Sequence, residues 1–311
     1  MSLRFFPNDP DFYRKKQGSA KMIEFKDFSF RYKSSDEAAP FALENINMTI
    51  QDGEFVGITG NSGAGKSTLT YAVAGLVPHH FEGDFYGSVT VNGLDTVEVK
   101  PEALAKYVGE VFQDIDSQMV ASVVEDELLF GLENFGVPHD EITKRLDNVL
   151  NTLGIASLRR RQISSLSGGQ KQKVAIASIL ALSPDIIVLD EPTGELDPES
   201  TVMIYDILKT LNRDFHKTVI VVEQKIMVLC AYVPRLVVLS NGRTVYDGKS
   251  SDITNQVPLF KKLGINVPRV VELGQALKKA GLYNGQIPTE VDGAEKMVLN
   301  ILGNEGGKTS A

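Results

Sequence analysis

The nine-residue stretch Gly60-Asn-Ser-Gly-Ala-Gly-Lys66-Ser67-Thr68 has residue types and spacing that suit a phosphorylated ligand. Its glycines allow positive φ angles and a close backbone approach, so that successive N–H groups can point at phosphate oxygens. Lys66 can reach the β- and γ-phosphates, and the hydroxyl of Ser67 can ligate Mg²⁺. We therefore expect this phosphate loop (residues 60–68) to bind a nucleoside triphosphate through Asn61, Ser62, Gly63, Ala64, Gly65, Lys66, Ser67 and Thr68.

The elements on either side of the phosphate loop agree with this chemistry. An apolar run at residues 55–59 predicts a strand that leads into the loop, and residues 67–76 predict a helix that leads out of it. The start of that helix contributes the positive end of its dipole to an anion site. A glycine-rich turn without a ligand is the alternative, and the combination of strand, loop and helix disfavours it.

Two carboxylates, Asp190 and Glu191, follow the wholly apolar run at residues 186–189. Such a run is typical of a parallel strand that is buried on both faces, and open α/β sheets bind their ligands at the carboxyl ends of such strands. We expect Asp190 to hold Mg²⁺ through a water molecule. Glu191 is expected to accept a proton from an attacking water, a role worth about 10²–10⁴ in rate.

A second phosphate-binding geometry occurs at Leu166-Ser-Gly-Gly-Gln170. Ser167 and Gln170 have capping-box spacing, which predicts a helix that begins here and continues to Leu182. Glycines beside an exposed helix N-terminus can approach phosphate closely, although the string alone is compatible with a plain helix cap. Asp197-Pro198 predicts the start of another helix, with proline at its first position.

Bulk properties limit the classes of protein to which the chain can belong. A chain of 311 residues with a net charge of −8 is long enough for one large or two ordinary domains, and its charge argues against a general nucleic-acid binder. Its single cysteine, Cys230, suits a reducing compartment. No apolar run approaches the length of a membrane span. A membrane role would therefore need a partner that holds the chain there.

The pattern along the chain predicts an α/β architecture with an added antiparallel sheet. Phe28, Phe30 and Tyr32 alternate with polar residues on a first strand, residues 42–50 form a returning strand, and Asp52-Gly53 is expected to close a hairpin into the strand before the phosphate loop. Residues 115–165 have helical spacing. We expect residues 1–21 to form a flexible leader, with a docking arm as the alternative.

The order of these motifs resembles that of the ATPase cassettes of ABC transporters, over about residues 22–248. The resemblance implies a P-loop NTPase fold with a RecA-like parallel-sheet core, an antiparallel β subdomain and an α-helical subdomain at about 115–165. It implies that Gln113 contacts Mg²⁺ and senses nucleotide. It also implies that Ser167, Gly168, Gly169 and Gln170 contact ATP held by an opposite subunit, that Asp197 belongs to the D-loop, and that Tyr32 stacks on adenine. A core role is the alternative for Tyr32.

A narrower resemblance involves the ATPase subunits of energy-coupling factor (ECF) transporters, which import vitamins and cobalt or nickel. It rests on Phe112-Gln-Asp114 with Asp116-Ser-Gln118, and on Val124-Glu-Asp-Glu127 with Phe130-Gly-Leu-Glu-Asn134. Residues 249–303 resemble the small C-terminal extension of those subunits, which contributes to their pairing. Residues 304–311 are expected to be a disordered tail.

The chain departs from the family at Gln224, where the resemblance places a switch histidine after the strand at 218–222. An amide can donate a hydrogen bond to a γ-phosphate, but it cannot carry the charge of imidazolium. Losing one transition-state contact of this kind costs about 10²–10³ in rate. We expect Gln224 to act with Glu191 and Gln113 in a catalytic site that is either slowed or one half of an unequal pair.

The resemblance therefore implies an ATP- and Mg²⁺-dependent ATPase that drives an ECF-type importer from the cytoplasmic face of the cell membrane. Its expected partners are a second ATPase subunit, identical or related and arranged head to tail, an integral membrane coupling subunit and a substrate-binding membrane subunit. No nucleic-acid partner is expected. The alternatives are a soluble ABC ATPase that acts on nucleic acid or ribosomes, and a regulatory ATP clamp that hydrolyses poorly.

Overall fold

The computed structural model of the protein describes residues 21–34 and 40–306. Its strands are β1 (Lys21–Tyr32), β2 (Leu43–Gln51), β3 (Phe55–Gly60), β4 (Gly83–Val91), β5 (Leu94–Asp95), β6 (Val108–Val111), β7 (Ile186–Asp190), β8 (Thr218–Val222), β9 (Arg235–Ser240) and β10 (Arg243–Lys249). The predicted leader lies outside the described residues, except that β1 already begins at Lys21.

The helices connect and cover these strands. They are α1 (Lys66–Val73), α2 (Leu76–His79), α3 (Pro101–Leu104), α4 (Ile115–Gln118), α5 (Val124–Asn134), α6 (His139–Thr152), α7 (Gly168–Leu182), α8 (Pro198–Phe215), α9 (Ile226–Tyr232), α10 (Val257–Lys262), α11 (Arg269–Lys279) and α12 (Val291–Gly306). Short 3₁₀ turns occur at Ala156–Leu158, Ile163–Ser165 and Ser250–Asn255. None of the described helices is both long and apolar enough to cross a membrane.

The larger sheet has the strand order β10-β9-β3-β8-β7-β6. All neighbours are parallel except β10, which returns antiparallel to β9 in a hairpin that turns at Asn241-Gly242. Every residue of β3, β7 and β8 is buried, as expected for parallel strands with both faces covered. The carboxyl ends of β3, β6, β7 and β8 therefore lie along one edge of this sheet, where the site forms.

A smaller antiparallel sheet has the order β2-β1-β4-β5. Phe25, Phe28 and Phe30 of β1 are fully or almost fully buried in the hydrophobic cluster that this sheet shares with β3 and α1. The hairpin predicted at Asp52-Gly53 is wrong, because β2 and β3 belong to different sheets. The chain does turn there, with φ +72° at Gly53, but β3 pairs on both sides with strands from the second half of the chain.

The segment between β6 and α7 is helical, as its spacing predicts. Ile142, Leu146, Val149 and Leu150 form the buried stripe of α6. On α5 the buried residue at the start of the stripe is Val124, whereas the neighbouring Val123 is only half-buried. Both helices pack on α7 through one hydrophobic cluster that extends to the larger sheet, so the segment is held against the core that carries the site.

The residues after β10 form α10, α11 and α12. Val257, Phe260, Ile265, Val267 and Val271 are buried in the same hydrophobic cluster as the larger sheet, so the first part of this C-terminal extension is packed onto the core. Helix α12 ends at Gly306, three residues inside the tail predicted from residue 304, and residues 307–311 lie outside the described range. The α/β fold class, with a parallel core, an added antiparallel sheet and helices, is confirmed.

Candidate nucleotide site

The phosphate loop connects β3 to α1 and adopts a turn that needs glycine. Gly60, Gly63 and Gly65 all have positive φ angles, of +155°, +75° and +97°. At Gly65 a Cβ atom would lie 2.4 Å from the carbonyl oxygen of Ala42, the residue before β2. A side chain there would therefore require the backbone at Ala42 to move. The shape of the loop thus depends on glycine at these positions.

Lys66 is almost completely buried at the start of α1. Its Nζ donates hydrogen bonds to the carbonyl oxygens of Gly60 at 3.0 Å and Asn61 at 3.1 Å. These two carbonyls belong to the loop itself, so the ammonium group lies inside the curve that the loop makes. Its positive charge therefore faces the space in which we expect phosphate to bind.

Asp190 and Glu191 follow β7 directly and differ sharply in their surroundings. Asp190 is 2% exposed, and its Oδ1 has no hydrogen-bond partner among the described residues. Burial raises the pKa of Asp190, while a hydrogen bond from Ser67 acts in the opposite direction. A buried carboxylate oxygen without a partner beside the Ser67 hydroxyl fits the oxygen-donor set that Mg²⁺ prefers.

Glu191 has a left-handed backbone, with φ +52°, and both of its carboxylate oxygens accept a hydrogen bond. Gln113 Nε2 donates to Oε2 at 3.2 Å, and Gln224 Nε2 donates to Oε1 at 2.7 Å. Gln113 follows β6 and Gln224 follows β8, the strands on either side of β7. Three adjacent strand ends thus bring together the three residues predicted to be catalytic.

The phosphate loop, Gln113, Glu191 and Gln224 line a single cavity of about 280 Å³, whereas buried Asp190 is not part of its lining. Its lining consists of Tyr32, Ala42, Ser62, Gly63, Gly65, Lys66, Ser67, Thr68, Gln113, Glu191 and Gln224. Tyr32 stands at its rim, where its hydroxyl is hydrogen-bonded to Thr68 Oγ1 at 3.0 Å and its ring meets Phe30 and Phe81 edge-on. Of the other predicted loop residues, Ala64 is buried and Asn61 is exposed toward the C-terminal extension.

The predicted signature residues do not line this cavity. Ser167 caps α7, with the capping box to Gln170 complete in both directions. Gly168 and Gly169 face Glu195 instead, and a Cβ atom at Gly168 would lie 2.8 Å from the Oε2 atom of that residue. Asp197 caps α8 by accepting hydrogen bonds from the backbone N–H and hydroxyl of Ser200. The signature and Asp197 therefore form a separate part of the surface.

Two further residues support the site, although the sequence analysis gave neither of them a role in it. Gln118 bridges the end of β6, because its Nε2 donates to Glu110 O and its Oε1 accepts from Phe112 N. Buried Glu223 accepts hydrogen bonds from the backbone N–H and hydroxyl of Thr193, which ties the segment after β8 to the turn after Glu191. Their sequence signal was their position, since Gln118 follows Gln113 by five residues and Glu223 directly precedes Gln224.

Glu110 lies beneath the site on β6. It is 7% exposed, and burial raises the pKa of its carboxyl group to about 8. A hydrogen bond with the Thr70 side chain opposes this effect, and the nearby charge of Asp190 adds to it. The carboxyl group is therefore expected to be largely protonated at neutral pH.

Comparison with known proteins identifies the same family that the motifs of the sequence resemble. The family model for ABC transporters matches residues 43–194. An archaeal protein of Pyrococcus horikoshii, named as an ABC transporter ATP-binding protein, is 40% identical over 268 residues, which cover 86% of this chain and 93% of that one. The energy-coupling factor transporter ATP-binding protein EcfA1 of Clostridium novyi is 38% identical over 84% of this chain and 91% of its own length.

Two solved structures are also similar. One is cbiO1 from Clostridium perfringens, described as part of the ABC transporter complex cbiONQ, with a TM-score of 0.66, 30% identity, and coverage of 82% of this chain and 99% of that one. The other is the ATP-binding cassette MJ0796, a dimer in a post-hydrolysis state bound to ADP and Pi. Its TM-score is 0.67 and its identity 29%, over 74% of this chain and 99% of the cassette.

Proposed function

The chain belongs to the family of ABC transporter ATP-binding proteins, which are ATP hydrolases, and we propose that it powers an ECF-type importer of a vitamin or a transition-metal ion. ATP hydrolysis is the part of this proposal that the structure supports most directly. The supporting observation is that the hydrogen-bonded group Gln113–Glu191–Gln224 lines the same cavity as the phosphate loop. It joins an anion site to a carboxylate that can act as a general base.

In this proposal the phosphate loop holds the triphosphate of ATP. The N–H groups of residues 61–68 surround the phosphates, and Lys66 moves its ammonium group from the carbonyls of Gly60 and Asn61 to the β- and γ-phosphates. Tyr32 supplies a ring at the rim of the cavity on which adenine can stack. Its hydrogen bond to Thr68 orients that ring relative to the loop.

Mg²⁺ would be held by Ser67, Gln113 and Asp190, with phosphate oxygens and water as its other ligands. The unpartnered Oδ1 of buried Asp190 supports this assignment. Burying a carboxylate oxygen costs free energy unless it has a partner, and a cation would be such a partner. When bound, the ion neutralises part of the negative charge of the phosphates.

Glu191 would accept a proton from the water that attacks the γ-phosphorus. A new P–O bond forms to the water oxygen, the bond between the γ-phosphorus and the bridging oxygen breaks, and ADP leaves with that electron pair. Each Glu191 oxygen now accepts one amide hydrogen bond, so the attacking water would use a remaining lone pair or replace one of these donors. Gln113 and Gln224 would thus influence how readily the base accepts the proton.

A second subunit would complete the site. Ser167, Gly168, Gly169, Gln170 and Asp197 lie outside the cavity of their own chain, as expected if they serve an ATP molecule held by an opposite subunit. The dimeric state of the similar cassette MJ0796 supports a pair of cassettes, for which we propose a head-to-tail arrangement. The partner ATPase is either a second copy or a related chain.

The importer assignment rests on similarity to EcfA1 and to cbiO1, the latter being part of a transporter complex. By this analogy, the surface near Gln113 and the helices α4–α6 receives an integral membrane coupling subunit, and a separate membrane subunit binds the transported substrate. The chain would then work as a peripheral protein on the cytoplasmic face of the cell membrane.

The proposal is tested by purifying the tagged chain from native membranes and identifying the integral proteins that accompany it. Recovery with two membrane proteins and ATP hydrolysis that Glu191→Gln abolishes would support an importer. Recovery with ribosomes or DNA alone would contradict it. A Lys66→Gln variant should lose ATP binding. Lys33→Gln is its charge-matched control, because it removes an exposed cation that is paired with Glu82.

The regulatory clamp is a second candidate, favoured by the 2.7 Å hydrogen bond between Gln224 and Glu191. A base that stays bound to an amide would leave a chain that binds ATP and closes on its partner but hydrolyses slowly. Single-turnover measurements separate the two functions. A clamp hydrolyses ATP at the same rate as its Glu191→Gln variant, whereas a transport ATPase exceeds that variant by orders of magnitude.

A further inference from the structure

The phosphate loop contacts the C-terminal extension directly. Asn61 Nδ2 donates a hydrogen bond to the carbonyl oxygen of Leu263 at 2.7 Å. Leu263 directly follows α10 as its C-cap, and the next residue, Gly264, has φ +68°. A Cβ atom placed on Gly264 would lie 3.8 Å from the same Nδ2. A turn that belongs to the extension therefore lies against the first variable residue of the phosphate loop.

Asn61 also takes part in the internal structure of the loop. Its carbonyl oxygen accepts hydrogen bonds from Lys66 Nζ at 3.1 Å and from the backbone N–H of Ala64 at 3.1 Å. One residue thus connects the extension on one side with the turn of the loop and its lysine on the other. A displacement of Asn61 would alter the positions of both groups.

The Leu263 carbonyl is a firm anchor because its turn is packed into the core. Phe260 is fully buried and Ile265 is 7% exposed, both within the hydrophobic cluster of the larger sheet. Hydrogen bonds from Leu263 N to Leu259 O and from Ile265 N to Phe260 O close the turn. Next to it, the extension and the segment that begins at Gln224 together line a groove of about 880 Å³.

We propose that the Leu263–Gly264 turn is part of the nucleotide site and positions the phosphate loop through Asn61, so that ATP binding and the order of the extension are coupled. This inference rests on the proposed binding of ATP by the loop. A loop held in its binding shape before the ligand arrives loses less conformational freedom on binding. Because coupling between two sites is reciprocal, ATP stabilises the turn as much as the turn favours ATP.

Two substitutions break the contact from opposite sides. Asn61→Ala removes the donor, and Gly264→Ala strains the turn that presents the acceptor while leaving the phosphate loop unchanged. Gly281→Ala is the matched control, because Gly281 has φ +73° in another turn of the extension and a Cβ atom placed on it would have nothing within 4 Å. All three variants are made in the full chain and compared by thermal unfolding before use.

Isothermal titration with ATP should give about threefold to tenfold weaker binding for Asn61→Ala and for Gly264→Ala, the range for one hydrogen bond. The double variant should be no weaker than the more affected single variant, since both remove one contact. Gly281→Ala should bind as the unsubstituted chain does. In steady-state hydrolysis Gly264→Ala should raise the KM for ATP and retain kcat, because Gly264 lies outside the phosphate loop and Glu191 is untouched.

Hydrogen exchange provides a readout that reduced stability alone would not reproduce. In the unsubstituted chain, ATP should slow amide exchange at residues 257–266, and Asn61→Ala should abolish this slowing. The inference is overturned if both variants bind ATP like Gly281→Ala, or if ATP protects residues 257–266 equally without the Asn61 side chain. An unsubstituted chain that binds no ATP would overturn the proposed function and this inference together.

Discussion

Gln224 and Glu191 are joined by a 2.7 Å hydrogen bond in which the amide nitrogen donates to the carboxylate. The bond connects the ends of β8 and β7, neighbours in the larger sheet. A histidine at the same position could donate to Glu191 as well, but as imidazolium it would also carry a positive charge toward the γ-phosphate. The amide of Gln224 can therefore position Glu191, but it lacks the positive charge that an imidazolium would bring to the γ-phosphate.

Gln224→His should therefore raise ATP hydrolysis by about 10²-fold, the effect of one added transition-state contact. Phosphate release from the purified chain measures it. The double variant Gln224→His, Glu191→Gln should remain inactive, because the imidazole assists the base without replacing it. An unchanged rate in the single variant would show that the charge at this position is not limiting.

Gly65→Ala should unfold the chain more easily than Gly63→Ala. Both glycines have positive φ, which costs an alanine about 1–2 kcal/mol. Only at Gly65 would the new Cβ also approach a carbonyl oxygen, that of Ala42, to 2.4 Å, whereas nothing lies within 4 Å at Gly63. We expect a difference of about 2 kcal/mol in the free energy of unfolding by urea. Equal free energies of unfolding for the two variants would mean that the backbone at Ala42 moves away without cost.

Glu110 should make stability depend on pH. Its pKa is about 8 in the fold against an ordinary value of 4.5, so between these values the unfolded chain releases a proton that the folded chain retains. This contribution favours the fold below pH 4.5 and is lost as the pH rises toward 8.

Glu110→Gln should remove this dependence. Relative to the unsubstituted chain, the variant should gain about 2 kcal/mol between pH 6 and pH 7.5, since each pH unit in this window is worth about 1.4 kcal/mol. Urea unfolding at both pH values measures the change. Asp126→Asn, at an exposed position on α5, serves as the control, and a pH-independent difference for Glu110→Gln would show that the carboxyl is ionised in the fold.

Glu195→Gln should strengthen ATP-dependent pairing of the subunits. The carboxylate of Glu195 lies against Gly168, where we propose that the γ-phosphate held by the opposite subunit binds, so two negative charges meet. Neutralising one should tighten association about threefold to tenfold at low salt, with a smaller effect at high salt.

Sedimentation of the Glu191→Gln chain with ATP, with and without Glu195→Gln, measures this pairing. Glu199→Gln provides the control because it makes the same charge change at an exposed position in the first turn of α8. If both substitutions strengthened association equally, net charge rather than the position of Glu195 would be the cause.

Local signals were sufficient to predict much of this structure. The Ser167–Gln170 capping box, Pro198 at the start of α8 and the buried strands β7 and β8 depend on residues close together in sequence, and each occurs as expected. The hydrogen bond between Gln113 and Glu191 was not predicted from the sequence. The resemblance to a family placed both residues in one site, and the rule that parallel strands end at one edge of a sheet explains why they are close together.

Contacts between distant segments could not be read from the sequence. The turn at Asp52-Gly53 shows that the chain reverses, but it contains no information about which strand β3 will join. Similarly, nothing near Asn61 indicates Leu263, and nothing near Glu223 indicates Thr193. These pairings depend on how whole elements pack, a property of the folded chain rather than of residue spacing.

The position of β3 has a consequence for how the protein is made. This strand carries the phosphate loop, yet its partners in the sheet are β8 and β9, and β8 begins only at Thr218. During synthesis β3 therefore leaves the ribosome long before either neighbour exists, with an apolar strand unpaired on both edges. A nascent chain that stops before β8 cannot assemble the catalytic group, so the ribosome must finish most of the protein before ATP hydrolysis is possible.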